Sequence, residues 1–128
     1  MQTIVVAYDD PHSRTLVRAA DLAEDLNAAL IVTNVASADR KSDEERVTPY
    51  SQERLDQARA YLAERGLEAE LVPVSGQPAE AIVALANERN ADLIVVGMRR
   101  KGFLERLVEG SVAQDVMRRA TCDVLAVH

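Results

Sequence analysis

The sequence predicts a three-layer α/β/α sandwich on a five-stranded parallel sheet, as one domain over residues 1–128. Three observations predict it. Strand-length apolar runs alternate strictly with segments of helical period, the order of a mostly parallel α/β sheet. The strands are apolar at consecutive positions, as in Leu93-Ile94-Val95-Val96, which suits strands covered on both faces. Finally, 128 residues that are 48% hydrophobic suffice for one core without disulfides or a structural metal, and are too few for two ordinary domains.

The first strand covers about Thr3–Tyr8. Ser13 is a candidate cap for the first helix, whose inner face carries Leu16, Ala19, Ala20, Ala23 and Leu26, and Asn27 suits its left-handed end. Strand two is about Ala29–Val35, followed by a polar, solvated run over Ala36–Arg46. Thr48-Pro49 signals the start of the second helix, Leu55, Ala58 and Leu62 give its buried face, and Gly66 ends it. Strand three, about Glu68–Val74, contains Pro73, which cannot donate to a sheet ladder and therefore marks an edge. Gly76 and Pro78 turn the chain into a third helix with Ile82, Leu85 and Ala86 inward. Strand four ends at Gly97. Ser111 and Gln114 have the spacing of a capping box for the fourth helix, whose inner face is Val112, Val116 and Ala120. Strand five is about Asp123–Val127.

Net charge is −6 and the sequence pI about 4.9. There is no Trp, a single Phe (Phe103) and three Tyr (Tyr8, Tyr50, Tyr61), so neither the basic face nor the stacking platforms of a nucleic-acid binder are present. Cys122 is the only cysteine and reads as a small buried hydrophobe. No apolar stretch approaches membrane-spanning length and nothing ahead of strand one suits a signal peptide, so a cytoplasmic protein without a membrane partner is expected.

Chemistry concentrates between Gly97 and Val112, GMRRKGFLERLVEGSV. A glycine closes a strand, Gly110-Ser111 opens a helix, and Arg99, Arg100 and Lys101 lie between. Glycines let backbone N–H groups approach a ligand, a helix N-terminus adds partial positive charge, and the basic side chains can bond phosphate oxygens. The same residues also suit a plain strand end, a tight turn and a solvated charge run, and both readings stay open. Neither a P-loop nor a G-x-G-x-x-G fingerprint is present. Asp9 and Asp10 close strand one, either as turn residues or as contacts to a ribose or a bound Mg²⁺. The catalytic search mostly fails: His12 beside Ser13 reads as exposed loop rather than a Ser-His pair, His128 is the last residue, Ser111 has no identifiable base, Cys122 has no activating neighbour, and no spacing resembles a metal site.

Over essentially its whole length the chain resembles a universal stress protein domain. The likeness rests on IVVAYDD at the start, SGQPAEAIVALA in the middle, ADLIVVG before the loop and GSVAQDVMRRATCDVLAV at the end. The family's nucleotide motif is Gly, two residues, Gly, nine residues, then Gly-Ser or Gly-Thr. Gly97 takes the first place and Gly110-Ser111 the last, with the full spacing, while Arg100 stands at the second. Asp9 matches the family's aspartate after strand one, but Asp10-Pro11 replaces the usual Gly-Ser. Val35, closing strand two, matches an adenine-contact position, and Val112 matches another contact position.

The resemblance implies strand order 3-2-1-4-5 and dimerisation through strand five. It also implies an adenine nucleotide (ATP, or AMP or ADP, with or without Mg²⁺) whose phosphates lie over Gly97, Met98, Arg99, Arg100 and Lys101 and over Gly110-Ser111, near Asp9. Since the family has members that bind ATP and members that do not, Arg100 either neutralises a phosphate or fills its room. The leading expectation is a nucleotide-binding stress-response regulator without strong catalysis. A dimeric interaction module comes second and a slow ATPase third.

Overall fold

The structure, a computed structural model, describes residues 2–9, 14–37, 49–98 and 112–128. Among them strands and helices alternate: β1 (Thr3–Ala7), α1 (Thr15–Leu26), β2 (Ala29–Ser37), α2 (Pro49–Glu64), β3 (Glu70–Gly76), α3 (Pro78–Glu88), β4 (Leu93–Gly97), α4 (Val112–Arg119) and β5 (Asp123–Val127). The strands form one sheet in the order β3-β2-β1-β4-β5, parallel at every pairing. Pro73 accordingly lies on an edge strand.

Consecutive apolar residues make the three layers. Side chains on a strand alternate between faces, so Ile4 and Val6 pack with α1 and α2 (Leu16, Ala19, Ala23, Leu55, Ala58, Leu62). Their neighbour Val5, with Ile31, Ile94 and Val96, packs with α3 and α4 (Ile82, Leu85, Ala86, Ala113, Val116). Both sets are buried. Each such Val, Ile or Leu side chain contributes about 1.5–3 kcal/mol by leaving water, so the central strands β1 and β4 anchor both layers.

Turn chemistry follows the sequence signals at several places. Asn27 is left-handed (φ 55, ψ 48) and its N–H reaches back to the carbonyls of Ala23 and Glu24. Pro49 begins α2 and Pro78 begins α3. Beyond α2, Gly66 has φ +75, and the Leu67 N–H donates to the Leu62 carbonyl at 2.9 Å, so the helix closes on the left-handed motif that glycine accommodates.

Four expectations need correction. β3 starts at Glu70 rather than Glu68 and runs to Gly76, because Leu67 is used in closing α2 and pairing with β2 begins only at Ile31↔Glu70. β2 likewise continues to Ser37, since β3 pairs with it that far. β1 ends at Ala7 rather than Tyr8, though Tyr8 still donates its N–H to the Thr33 carbonyl at 2.9 Å. Leu26 and Val112, assigned to inner helix faces, are 49% and 41% exposed, because each is the terminal residue of its helix. At the start of α1 stands Arg14, whose side chain makes no capping bond. Ser13, Thr48 and the run 38–46 lie outside the described residues.

Candidate functional site

The strand order reverses direction between β1 and β4, the topological switch point at which open α/β sheets bind ligands beyond the carboxyl ends of their strands. The ends there are stepped. Pairing of β1 with β2 stops at Ala7↔Thr33, whereas β2 and β3 continue together to Ser37↔Gly76. At a strand rise of about 3.3 Å per residue, β2 and β3 overhang β1 by about 13 Å, which leaves a step at this end of the sheet.

Five sequence-selected residues fall at this end of the sheet. Asp9 is exposed just beyond β1, Val35 is half-buried on the overhang, and Gly97 closes β4. Met98 follows, half-buried, its N–H donating to the Val127 carbonyl at 2.7 Å. Val35 and Met98 both pack, with Ala7 and Val74, against the core cluster under α3 and α4. Val112 opens α4 as an exposed apolar side chain. Asp10, Arg99, Arg100, Lys101, Gly110 and Ser111 lie outside the described residues.

Two residues that shape the site went unnoticed in the sequence. Asn34 is 2% exposed, and its Nδ2 donates to the Tyr8 carbonyl at 2.7 Å. This bond, with Tyr8 N–H to Thr33, ties the last turn of β1 to the overhang and so fixes where Asp9 emerges. Thr33 Oγ1 in turn donates to the Val72 carbonyl at 2.6 Å, clasping β2 to β3. The second residue is Thr15, buried at the first position of α1. A Cβ added to Gly97 would lie 2.7 Å from Thr15 Oγ1. A polar residue inside an otherwise apolar strand was the available signal for Asn34; nothing in the sequence pointed to Thr15.

Other chemistry is sparse. Cys122 is half-buried, and burial together with Asp123 and Asp92 pushes its thiol up, away from the reactive thiolate. Among the described residues no group of three or more His, Cys, Asp or Glu could hold a metal ion, and no helix is long and apolar enough to cross a membrane. An open groove of about 290 Å³ lined by Leu62, Leu67, Ala69 and Leu71 lies at the amino end of β3, away from the carboxyl ends of the strands.

A sequence model described as Universal stress protein family matches residues 1–128. The chain belongs to the universal stress protein family. It is 40% identical over 74 residues to universal stress protein YxiE of Bacillus subtilis (strain 168), an alignment covering 58% of this chain and 50% of that protein. The chain spans about half the length of the first curated relatives it matches. Among solved structures it is similar to a universal stress protein in complex with cAMP, with 35% identity and TM-score 0.78 over 99% of this chain and 96% of the other. It is also similar to the universal stress protein from Archaeoglobus fulgidus in complex with dAMP, with 28% identity and TM-score 0.74 over 100% and 98% of the two chains. The family resemblance read from the sequence is borne out.

Proposed function

We propose that this chain is a stress-response regulatory protein that binds an adenine nucleotide in the cleft beyond β1 and β4, without strong catalysis. The observation that carries the reading is the switch point itself: the ends of β1 and β4 lie side by side under the overhang of β2 and β3, in a chain similar to universal stress proteins solved with cAMP and with dAMP. The residues present suit such a ligand. Val35 and Met98 offer a half-buried apolar wall for a purine, and Val112 adds an exposed apolar side chain at the start of α4. Asp9 can accept hydrogen bonds from ribose hydroxyls or hold a Mg²⁺ that accompanies ATP. Gly97, Arg99, Arg100, Gly110 and Ser111 would supply backbone N–H groups and positive charge to the phosphates, beside Met98, whose own N–H is held by the Val127 carbonyl.

A second reading has its own observation. Gly97 is required by packing, since a side chain there would strike Thr15, so its presence does not demand a phosphate. On that reading the protein is a homodimeric interaction module. β5 is an edge whose outer backbone groups a second copy could pair with, and Val124 and Leu125 on it are half-buried. Mass spectrometry of ligand released from the purified protein separates the two. An adenine nucleotide supports the first reading. A protein free of nucleotide that also takes up none when it is added leaves the second.

A further inference from the structure

We propose that Thr15 is a positioning residue for the nucleotide cleft: its hydroxyl, packed against the end of β4, is what requires glycine at position 97 and sets how the chain leaves that strand. Backbone conformation does not explain this glycine. Positive φ among the described glycines occurs at Gly66 and Gly76 and not at Gly97, so any residue could adopt the backbone there. Space does explain it. In β4, Leu93 and Val95 face the cluster under α1, and position 97 continues that alternation. A Cβ at 97 therefore points at the first residue of α1, where it would meet Thr15 Oγ1 at 2.7 Å and nothing else of that residue closer than its Cβ at 3.9 Å.

The first distance is an overlap and the second an ordinary contact, so among the described residues one oxygen atom decides whether the site accepts a side chain. Thr15 cannot easily turn the oxygen away, because β-branching restricts χ1 and the residue is 2% exposed. The contact joins two elements that border the cleft. α1 begins just after the β1 loop that carries Asp9, and β4 delivers Met98 directly. Any residue at 97 other than glycine pushes these two borders apart.

The inference rests on the proposed nucleotide cleft for its functional half and on packing alone for its other half. The experiment therefore reads both, as adenine-nucleotide affinity and urea midpoint, on wild type, Gly97→Ala, Thr15→Ala, Gly97→Ala/Thr15→Ala and Gly97→Ala/Thr15→Val. Gly97→Ala should weaken ATP roughly tenfold (about 1.4 kcal/mol), because the overpacked contact shifts both borders of the cleft, and lower the midpoint. Adding Thr15→Ala should return most of both losses relative to Thr15→Ala alone. Adding Thr15→Val, which keeps an atom where Oγ1 stands, should return neither. Affinity that stays lost in the Thr15→Ala background would overturn the inference, since the glycine would then serve the ligand. So would a Gly97→Ala protein unchanged in both readouts. If wild type binds no nucleotide, the functional reading fails separately, and the pattern of midpoints alone upholds or overturns the Thr15 contact.

Discussion

Replacing Asn34 by Asp puts the joint between β1 and the overhang to a quantitative test. Asn34 is 2% exposed and donates Nδ2 to the Tyr8 carbonyl at 2.7 Å, while its Oδ1 has no hydrogen-bond partner among the described residues. An ionised Asp would lose the donor and set a carboxylate against a carbonyl in a dry site. Burial of this kind raises a carboxyl pKa by roughly three units from its reference of about 3.9, to near 7. A raised folded pKa means that the native state holds the proton while the unfolded chain has released it. Stability is then intact below about pH 4 and falls as pH rises toward 7. At about 1.36 kcal/mol per unit, the ionisation penalty is roughly 1.5 kcal/mol at pH 5 and roughly 4 kcal/mol at pH 8. Asn34→Ala should instead cost about 1–2 kcal/mol at both pH values, for the lost hydrogen bond and a small cavity. Urea unfolding of both variants at the two pH values checks this. If Asn34→Asp matched Asn34→Ala and showed no pH dependence beyond wild type, Asn34 would not be the buried tie described here.

Three further outcomes are expected. Arg65 bonds Asp21 at 3.0 Å, Glu24 at 2.7 Å and the Tyr61 hydroxyl at 2.8 Å and so joins α2 to α1; its charge is held more firmly than an ordinary guanidinium, first through Glu24, then Tyr61 and Asp21. Because Asp21 and Glu24 are about two-fifths exposed, Arg65→Ala should cost only about 1–2 kcal/mol in urea unfolding, and less in high salt. If Arg100 is a phosphate ligand, Arg100→Ala should weaken ATP by about 1.5–3 kcal/mol and flatten the salt dependence of binding; if it fills the phosphate's room, Arg100→Gly should tighten binding, and calorimetry tells the two apart. Gly110→Val should abolish binding in either case, since a β-branched side chain obstructs close backbone approach, and retained affinity would remove Gly110 from the site.

The layers were legible because they depend on local sequence. Ile94-Val95-Val96 is buried on both faces and reads so from composition alone, Asn27 takes the left-handed cap that its short polar side chain tolerates, and Pro73 puts β3 on an edge because it lacks an N–H. Helix ends were less legible. Periodicity marks a face but not where a helix overhangs the sheet, so Leu26 and Val112 were assigned inward and are exposed. β3 starts two residues later than expected because the chain leaving α2 spends Leu67 on closing the helix and meets β2 only at Ile31↔Glu70. At the carboxyl end of the sheet Gly97, Asp9 and Val35 were visible as patterns, whereas Thr15 and Asn34 were not. Their roles arise from contacts with Gly97 and Tyr8, far away in sequence, that exist only once the sheet is assembled.

The central claim is that the cleft beyond β1 and β4 takes an adenine nucleotide. A calorimetric titration of ATP, and of AMP beside it, into the nucleotide-free wild-type protein tests that most directly. The account predicts saturable binding near one nucleotide per chain that weakens with added salt, because part of it is charge-assisted. No heat of binding from either nucleotide, by a protein whose urea unfolding shows it to be folded, would contradict it.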